Sequence, residues 1–151
     1  MHNITYIYIL MLREQTFVMV KPDGVRRGIM SEVIAKFEKK GYTLIALKLC
    51  KPHISIIDKH YAEHIGKDFF RRLTKYVSSG PVCAMVWEGE DIVSQGRKIV
   101  GSTNPLASAH STLWVTFTID TARNLVHASD GVESAKREIN LWFTNEEIIG
   151  R

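Results

Sequence analysis

Six consecutive apolar residues, Val82 to Trp87, follow the turn-forming triplet Ser79-Gly80-Pro81 and run into Glu88. The run is too short to cross a bilayer and too uniformly apolar to face water, so it reads as a central strand that must be covered. Phe17-Val18-Met19-Val20 is a second such run, ended by a turn at Lys21-Pro22-Asp23-Gly24. Residues 43–49 read as a further strand, and Leu125-Val126 continues into His127 as a last short one. Helical periods lie between these runs. Met30, Val33, Ile34 and Phe37 share one face of a helix over 29–40, and Lys39, Lys40 and Gly41 form its stop signal. Residues 54–64 and 69–78 read as two helices around Gly66, and 91–100 as a helix capped at Gly101. Asp130 with Glu133 reads as a capping box opening a helix to about Phe143, with Val132, Ala135, Ile139 and Trp142 facing inward. This alternation predicts an α/β sandwich of one sheet against helices.

Composition narrows the function classes. A chain of 151 residues, 45% hydrophobic and 24% charged, suits one soluble domain. The formal net charge of +4 attracts anions, but the basic residues are scattered, so nucleic acid is not indicated as a partner. Cys50 and Cys83 each sit in an apolar run and read as buried free thiols. With no disulfide framework and no metal-ligand spacing, they point to a reducing, cytoplasmic setting. Residues 4–12 are apolar but too few to span a membrane, and no signal-peptide pattern surrounds them. Residues 1–13 are read as an N-terminal extension with Met11 as a candidate start, and 14–151 as the domain.

The common nucleotide-binding loops are missing. Gly96 to Thr103 approaches a P-loop but has Ser102 where the lysine belongs, and its first glycine lies in a helical pattern. There is no Gly-x-Gly-x-x-Gly and no His-Glu-x-x-His. What remains is a set of polar groups at element ends. Lys21 closes the first strand, Asn124 and His127 the last, and Arg97 and Thr103 flank a Ser/Thr-rich loop over 102–122. A loop that long in a compact domain is usually functional. Lysine and arginine can hold phosphates, and a neutral histidine can act as a nucleophile. Taken singly, each residue has a commonplace structural reading: a hydrogen-bonded strand-end histidine, a solvated helix arginine, a threonine loop cap.

Taken together, the residues resemble the nucleoside diphosphate kinase family. The resemblance is carried by Glu14 to Gly28, Phe37 to Tyr42, His60-Tyr61, Ser79 to Val82, Ala84 to Gly89, Thr103-Asn104-Pro105, Arg123 to Asp130, Ser134-Ala135, Glu138-Ile139 and Leu141-Trp142-Phe143. It implies a ferredoxin-like fold, a four-stranded antiparallel sheet with packed helices. It also implies homo-oligomers, usually hexamers, and a Mg²⁺-dependent ping-pong transfer of the γ-phosphate of a nucleoside triphosphate to a nucleoside diphosphate. By the same resemblance His127 carries the phosphoryl group, while Glu138 and Ser129 orient it. Lys21 reaches the phosphate and ribose, Tyr61 stands beside the histidine, and Asn124 binds the sugar. Arg97 and Thr103 contact phosphates, and Phe69 stacks on the base. Stacking tolerates every base, because each has a π-face.

The chain departs from the family pattern at His110 to Thr116. Trp114 stands where the family has a phosphate-gripping arginine, and an indole offers no fork of charged donors. Losing one charge-assisted hydrogen bond of about 1.5–3 kcal/mol lowers nucleotide affinity roughly ten- to a hundredfold, which defines an alternative: a nucleotide-binding relative with impaired turnover. The codons of Trp114-Val115-Thr116 spell Gly-Asp in a shifted frame when the third base of the valine codon is G, so a local frame slip would produce this departure. Ala128 and Gly131 are milder changes.

Overall fold

The computed structural model describes residues 4–7, 13–101 and 125–150. Four strands, β1 (Arg13–Val20), β2 (Thr43–Cys50), β3 (Val82–Glu90) and β4 (Val126–Ala128), form one sheet in the order β2-β3-β1-β4. All three pairings are antiparallel. β1 and β3 are the inner strands, paired from Arg13↔Glu90 to Val20↔Cys83, and must be covered on both faces. This explains why their cores read as unbroken apolar runs rather than alternating ones.

Between the strands lie α1 (Pro22–Arg26), α2 (Met30–Lys39), α3 (Ile54–His60), α4 (Phe70–Val77), α5 (Ile92–Val100) and α6 (Val132–Trp142). The pleat sends Val18 and Val20 of β1, with Cys83, Met85 and Trp87 of β3, to one face, where they meet Val33 and Phe37 of α2 and Ile92 of α5. Phe17 and Met19, with Val82, Ala84 and Val86, point to the other face, under Ile57 of α3, Val77 of α4, and Ile139 and Trp142 of α6. One aromatic stack anchors each core: Phe37–Trp87 with centroids 5.0 Å apart, and Phe17–Trp142 at 5.4 Å. The architecture is therefore α+β, with a four-stranded antiparallel sheet and packed helices. No described helix is long and apolar enough to cross a membrane.

Several local expectations are corrected. The Lys21-Pro22-Asp23-Gly24 turn is instead the start of α1, with Lys21 as N-cap and proline in the first turn, where its fixed φ suits a helix. The Asp130–Glu133 capping box does not form. The N-cap of α6 is Gly131, Asp130 bonds the Ser134 side chain, and Glu133 pairs with Lys136 at 3.4 Å. Val132 lies at the exposed start of that helix rather than inward. Among the described residues a capping box is built by Thr144 and Glu147. The 54–64 helix stops at His60 and gives way to a 3-10 turn, Ala62–His64. Cys83 is buried, but Cys50, on the edge strand, is only half-buried. The stop at Gly41 is as expected: its φ is +85°, and its N–H donates to the Glu38 carbonyl at 2.9 Å.

Candidate active site

His127 lies directly opposite Met19 in the β1–β4 ladder, so its side chain shares the Met19 face. β4 has only three residues in strand geometry, yet it is clamped at both ends. At one end the Lys21 N–H donates to the Leu125 carbonyl at 2.8 Å. At the other, the Ser129 N–H donates to the Phe17 carbonyl at 3.1 Å, and the Ser129 hydroxyl accepts from the Phe17 N–H at 3.2 Å. α6 runs back across this face and delivers Glu138. One Glu138 oxygen, Oε1, lies 2.5 Å from Nε2 of His127 and accepts from the Ser129 hydroxyl at 3.2 Å. Arg97, in the last turn of α5, reaches across with Nη1 to the Ala128 carbonyl at 3.4 Å. Lys21 ends β1 on the same side and is only 3% exposed.

Burial and these cations set the charge state. The His127 pKa is lowered to about 3, first by desolvation and then by Lys21 and Arg97, so the imidazole is neutral at neutral pH. Burial alone brings Lys21 down to about 7. The Glu138 carboxyl is pushed upward by burial, while His60 and the Ser129 hydroxyl bond pull the other way. A carboxylate can only accept, so the neutral imidazole presents its proton to Glu138 from Nε2. Nδ1 then keeps the lone pair, and it has no hydrogen-bond partner among the described residues. A neutral nucleophilic nitrogen ringed by Lys21 and Arg97 is suited to attack an anionic centre.

The remaining sequence candidates lie along a ladder of rings leading outward from His127. Its ring stands edge to face with His60 at 4.6 Å, and His60 with Tyr61 at 4.6 Å. Tyr61 stacks on His64 at 6.3 Å, and His64 meets Phe69 at 5.2 Å. Tyr61 thus adjoins the site through His60. It is buried, its hydroxyl has no hydrogen-bond partner among the described residues, and burial raises its pKa. Phe69 is 38% exposed, which leaves a ring face for a ligand. Thr103, Asn124 and the departures from His110 to Thr116 lie outside the described residues.

Sequence reasoning gave no role to two groups found here, His60 and Arg137. His60 is buried, and its Nδ1 accepts from the Trp142 indole N–H at 3.0 Å. Arg137 donates to the carbonyls of Lys59 at 3.2 Å and His60 at 3.5 Å. A signal for His60 existed: Ile57, His60 and Tyr61 follow helical spacing on one buried face.

A four-stranded antiparallel sheet that presents a carboxylate-held neutral histidine beside the buried Lys21 and the exposed Arg97 is the framework of an enzyme working through a nucleophilic imidazole. The comparisons with known proteins say which. The family profile for nucleoside diphosphate kinase matches residues 14–148. The chain is 54% identical over 136 residues to a nucleoside diphosphate kinase of Saccharomyces cerevisiae, covering 90% of this chain and 89% of the relative. A crystal structure of a nucleoside diphosphate kinase family protein from Babesia bovis superposes with a TM-score of 0.88 at 44% identity, covering 91% of this chain and 93% of that one. The Aquifex aeolicus nucleoside diphosphate kinase gives 0.87 at 34% identity, with 91% and 99% coverage. The chain belongs to the nucleoside diphosphate kinase family. Its activity is that of the family, phosphate transfer between nucleotides through a phosphohistidine intermediate.

Proposed function

We propose that His127 is the residue that takes the phosphoryl group, on Nδ1. The observation that carries this reading is the 2.5 Å contact between Nε2 and Glu138, which fixes the tautomer and leaves the Nδ1 lone pair available. In the first half-reaction that lone pair attacks the γ-phosphorus of a nucleoside triphosphate. The N–P bond forms, the bridging P–O bond breaks, and the diphosphate leaves with the electron pair. In the second half, a terminal oxygen of another nucleoside diphosphate attacks the same phosphorus, and Nδ1 recovers its lone pair. Glu138 stabilises the positive charge that the ring acquires, and Ser129 holds Glu138. Lys21 and Arg97 neutralise charge on the phosphates, with Lys21 also reaching the ribose. The unpartnered Tyr61 hydroxyl is a ready donor to bound substrate. Phe69 stacks on the base, and Asn124 and Thr103 complete the sugar and phosphate contacts by resemblance.

Mg²⁺ enters this reading with the nucleotide. Among the described residues, the one group of three potential ligands is His60, His127 and Glu138. That set is nitrogen-rich and flanked by cations, whereas Mg²⁺ requires an octahedron of oxygens. The metal therefore travels on the substrate phosphates. A homo-oligomer, with a hexamer as the expected form, is supported by the edge position of β2 and by Leu47 and Leu49, 51% and 59% exposed on it. Two free thiols support a cytoplasmic setting.

Intact mass after incubation with Mg²⁺-ATP tests the central assignment. An acid-labile phosphate adduct is expected on the native chain, absent from His127→Ala, and discharged by a second nucleoside diphosphate. An adduct retained by His127→Ala would sink the assignment. Nucleotide binding without any adduct would favour the impaired relative and turn attention to Trp114.

A further inference from the structure

Of the two histidine rings that meet at 4.6 Å, the preceding reading gives work to only one. His60 is 3% exposed at the end of α3. An indole N–H can only donate, so the 3.0 Å bond from Trp142 requires a lone pair on Nδ1 of His60 and places the proton of the neutral ring on Nε2. The arrangement is rigid. Trp142 stacks on Phe17 at 5.4 Å, and the His60 carbonyl accepts from Arg137 at 3.5 Å. Arg137, Glu138 and Trp142 all project from α6, so one helix sets both histidines.

We propose that Trp142 and His60 are positioning residues that keep the Glu138 carboxylate committed to His127. Ligating atoms of His60, His127 and Glu138 lie within 4.8 Å of one another. A protonated His60 would be a second, charged partner for Glu138. Drawing the carboxylate away would release Nε2 of His127 and with it the tautomer that exposes Nδ1. The Trp142 N–H occupies the one basic nitrogen of His60 and prevents this. The charged groups facing His60 are His127 on β4, Glu138 and Arg137 on α6, and Lys21 at the end of β1. Of these only Glu138 favours a cation there; burial and the others oppose it, and the His60 pKa lies at about 2. The inference rests on His127 being the phosphoacceptor.

The test is Trp142→Phe, which keeps an aromatic ring and removes the N–H. We expect the acid limb of kcat to lie at higher pH than in the native chain, with KM little changed, because freeing Nδ1 removes one interaction that keeps His60 neutral, while burial and the facing cations still hold its pKa below the ordinary value of about 6.5. His60→Asn, whose side-chain oxygen takes the indole N–H but cannot be protonated, should keep a pH profile parallel to that of the native chain. Nitrogen-15 correlation spectra of the native histidine side chains should show His60 as the neutral Nε2–H tautomer throughout, and a titrating Nδ1 in Trp142→Phe. A Trp142→Phe profile that superposes on the native one would overturn the proposal. So would a native His60 that is protonated or carries its proton on Nδ1, a result that stands even if the variant fails to fold. The mass adduct on His127 is read separately, so failure of the phosphoacceptor assignment is told apart from failure of the positioning role.

Discussion

The two faces of the sheet carry cores of opposite character. Under α2 and α5 the contents are dry: Val18, Val20, Val33, Phe37, Met85 and Trp87 are fully buried. The polar atoms caught there, Thr16 Oγ1 and Trp87 Nε1, have no hydrogen-bond partner among the described residues. Under α3, α4 and α6, aromatic packing is threaded with His60, Ser129 and Glu138, which bond to one another's neighbours, to His127 and to the backbone of β1. The first face gains stability from burial. The second gives up some of that gain to hold titratable groups in one protonation state. Substitutions on the two faces should therefore separate stability from catalysis in opposite directions.

Lys21→Met should show this most strongly. The folded-state pKa of Lys21 is depressed from 10.5 to about 7. A depressed group contributes its stability above the unfolded pKa, and that stability is lost as pH falls towards the folded value. At neutral pH the burial of Lys21 therefore costs up to about 5 kcal/mol, at about 1.36 kcal/mol per unit. Urea unfolding of Lys21→Met near pH 7 should give a gain of a few kcal/mol, reduced by the contacts the ammonium makes, while phosphotransfer collapses. A less stable variant would mean that Lys21 is held by more attraction than its burial suggests.

Trp87→Ala is the counterpart on the dry face. Trp87 is the largest fully buried side chain among the described residues and stacks on Phe37. Its removal should cost about 3–5 kcal/mol. Because Trp87 belongs to the core on the opposite face of the sheet from His127, kcat per folded molecule should stay near native. A matched loss of kcat would show that the two faces are mechanically coupled.

The histidines give the chemical face an acid sensitivity that the dry face lacks. Both pKa values are depressed in the folded state, His60 to about 2 and His127 to about 3, against about 6.5 unfolded. Their contribution is fully present above pH 6.5 and is lost as pH falls. Between about pH 6.5 and pH 5 stability should drop by up to about 2.7 kcal/mol per pH unit, two protons' worth. The Glu138 pKa, raised by burial, works in the opposite sense. Urea titrations across these pH values, repeated on a His60→Asn, His127→Asn double variant, should show the slope flatten.

What the sequence revealed follows the same division. β1 and β3 were legible because strands covered on both faces must be apolar throughout. The Pro22 turn was misread because the φ that proline enforces suits a turn and a first helical turn equally. The Asp130–Glu133 spacing fits a capping box, but Asp130 has Ser134 as a competing partner, and local competition of that kind does not show in spacing. Lys21, Arg97, Ser129 and Glu138 were singled out, and the structure brings them together around His127. His60 entered only as part of the His60-Tyr61 motif and was given no role, because a histidine on an apolar helix face reads as core. It is core, and its ring also meets that of His127. Arg137 could not be found at all, since nothing in a sequence says which carbonyls a helix will pass.

Two glycines give the smallest and sharpest version of the comparison. An added Cβ at Gly24, in α1, would lie 2.6 Å from Val20 Cγ1 and 3.0 Å from the Leu125 carbonyl oxygen. That oxygen accepts the Lys21 N–H and sits two residues before His127, so the strain would fall on the seat of the site. Alanine gains roughly 0.5–1 kcal/mol over glycine in a helix, but overpacking costs about 1–3 kcal/mol, and here one contact is backbone that cannot step aside. Gly24→Ala should therefore lose about 1 kcal/mol and lower kcat several-fold. At Gly96, in α5 over the dry face, the same Cβ would meet Phe37 at 3.5 Å and Thr16 at 3.7 Å, ordinary contact distances. Gly96→Ala should keep most of the helical gain of roughly 0.5–1 kcal/mol and leave kcat unchanged. Paired urea curves and initial rates decide it: similar behaviour of the two variants would mean that the site end of the sheet is no more tightly specified than the core behind it.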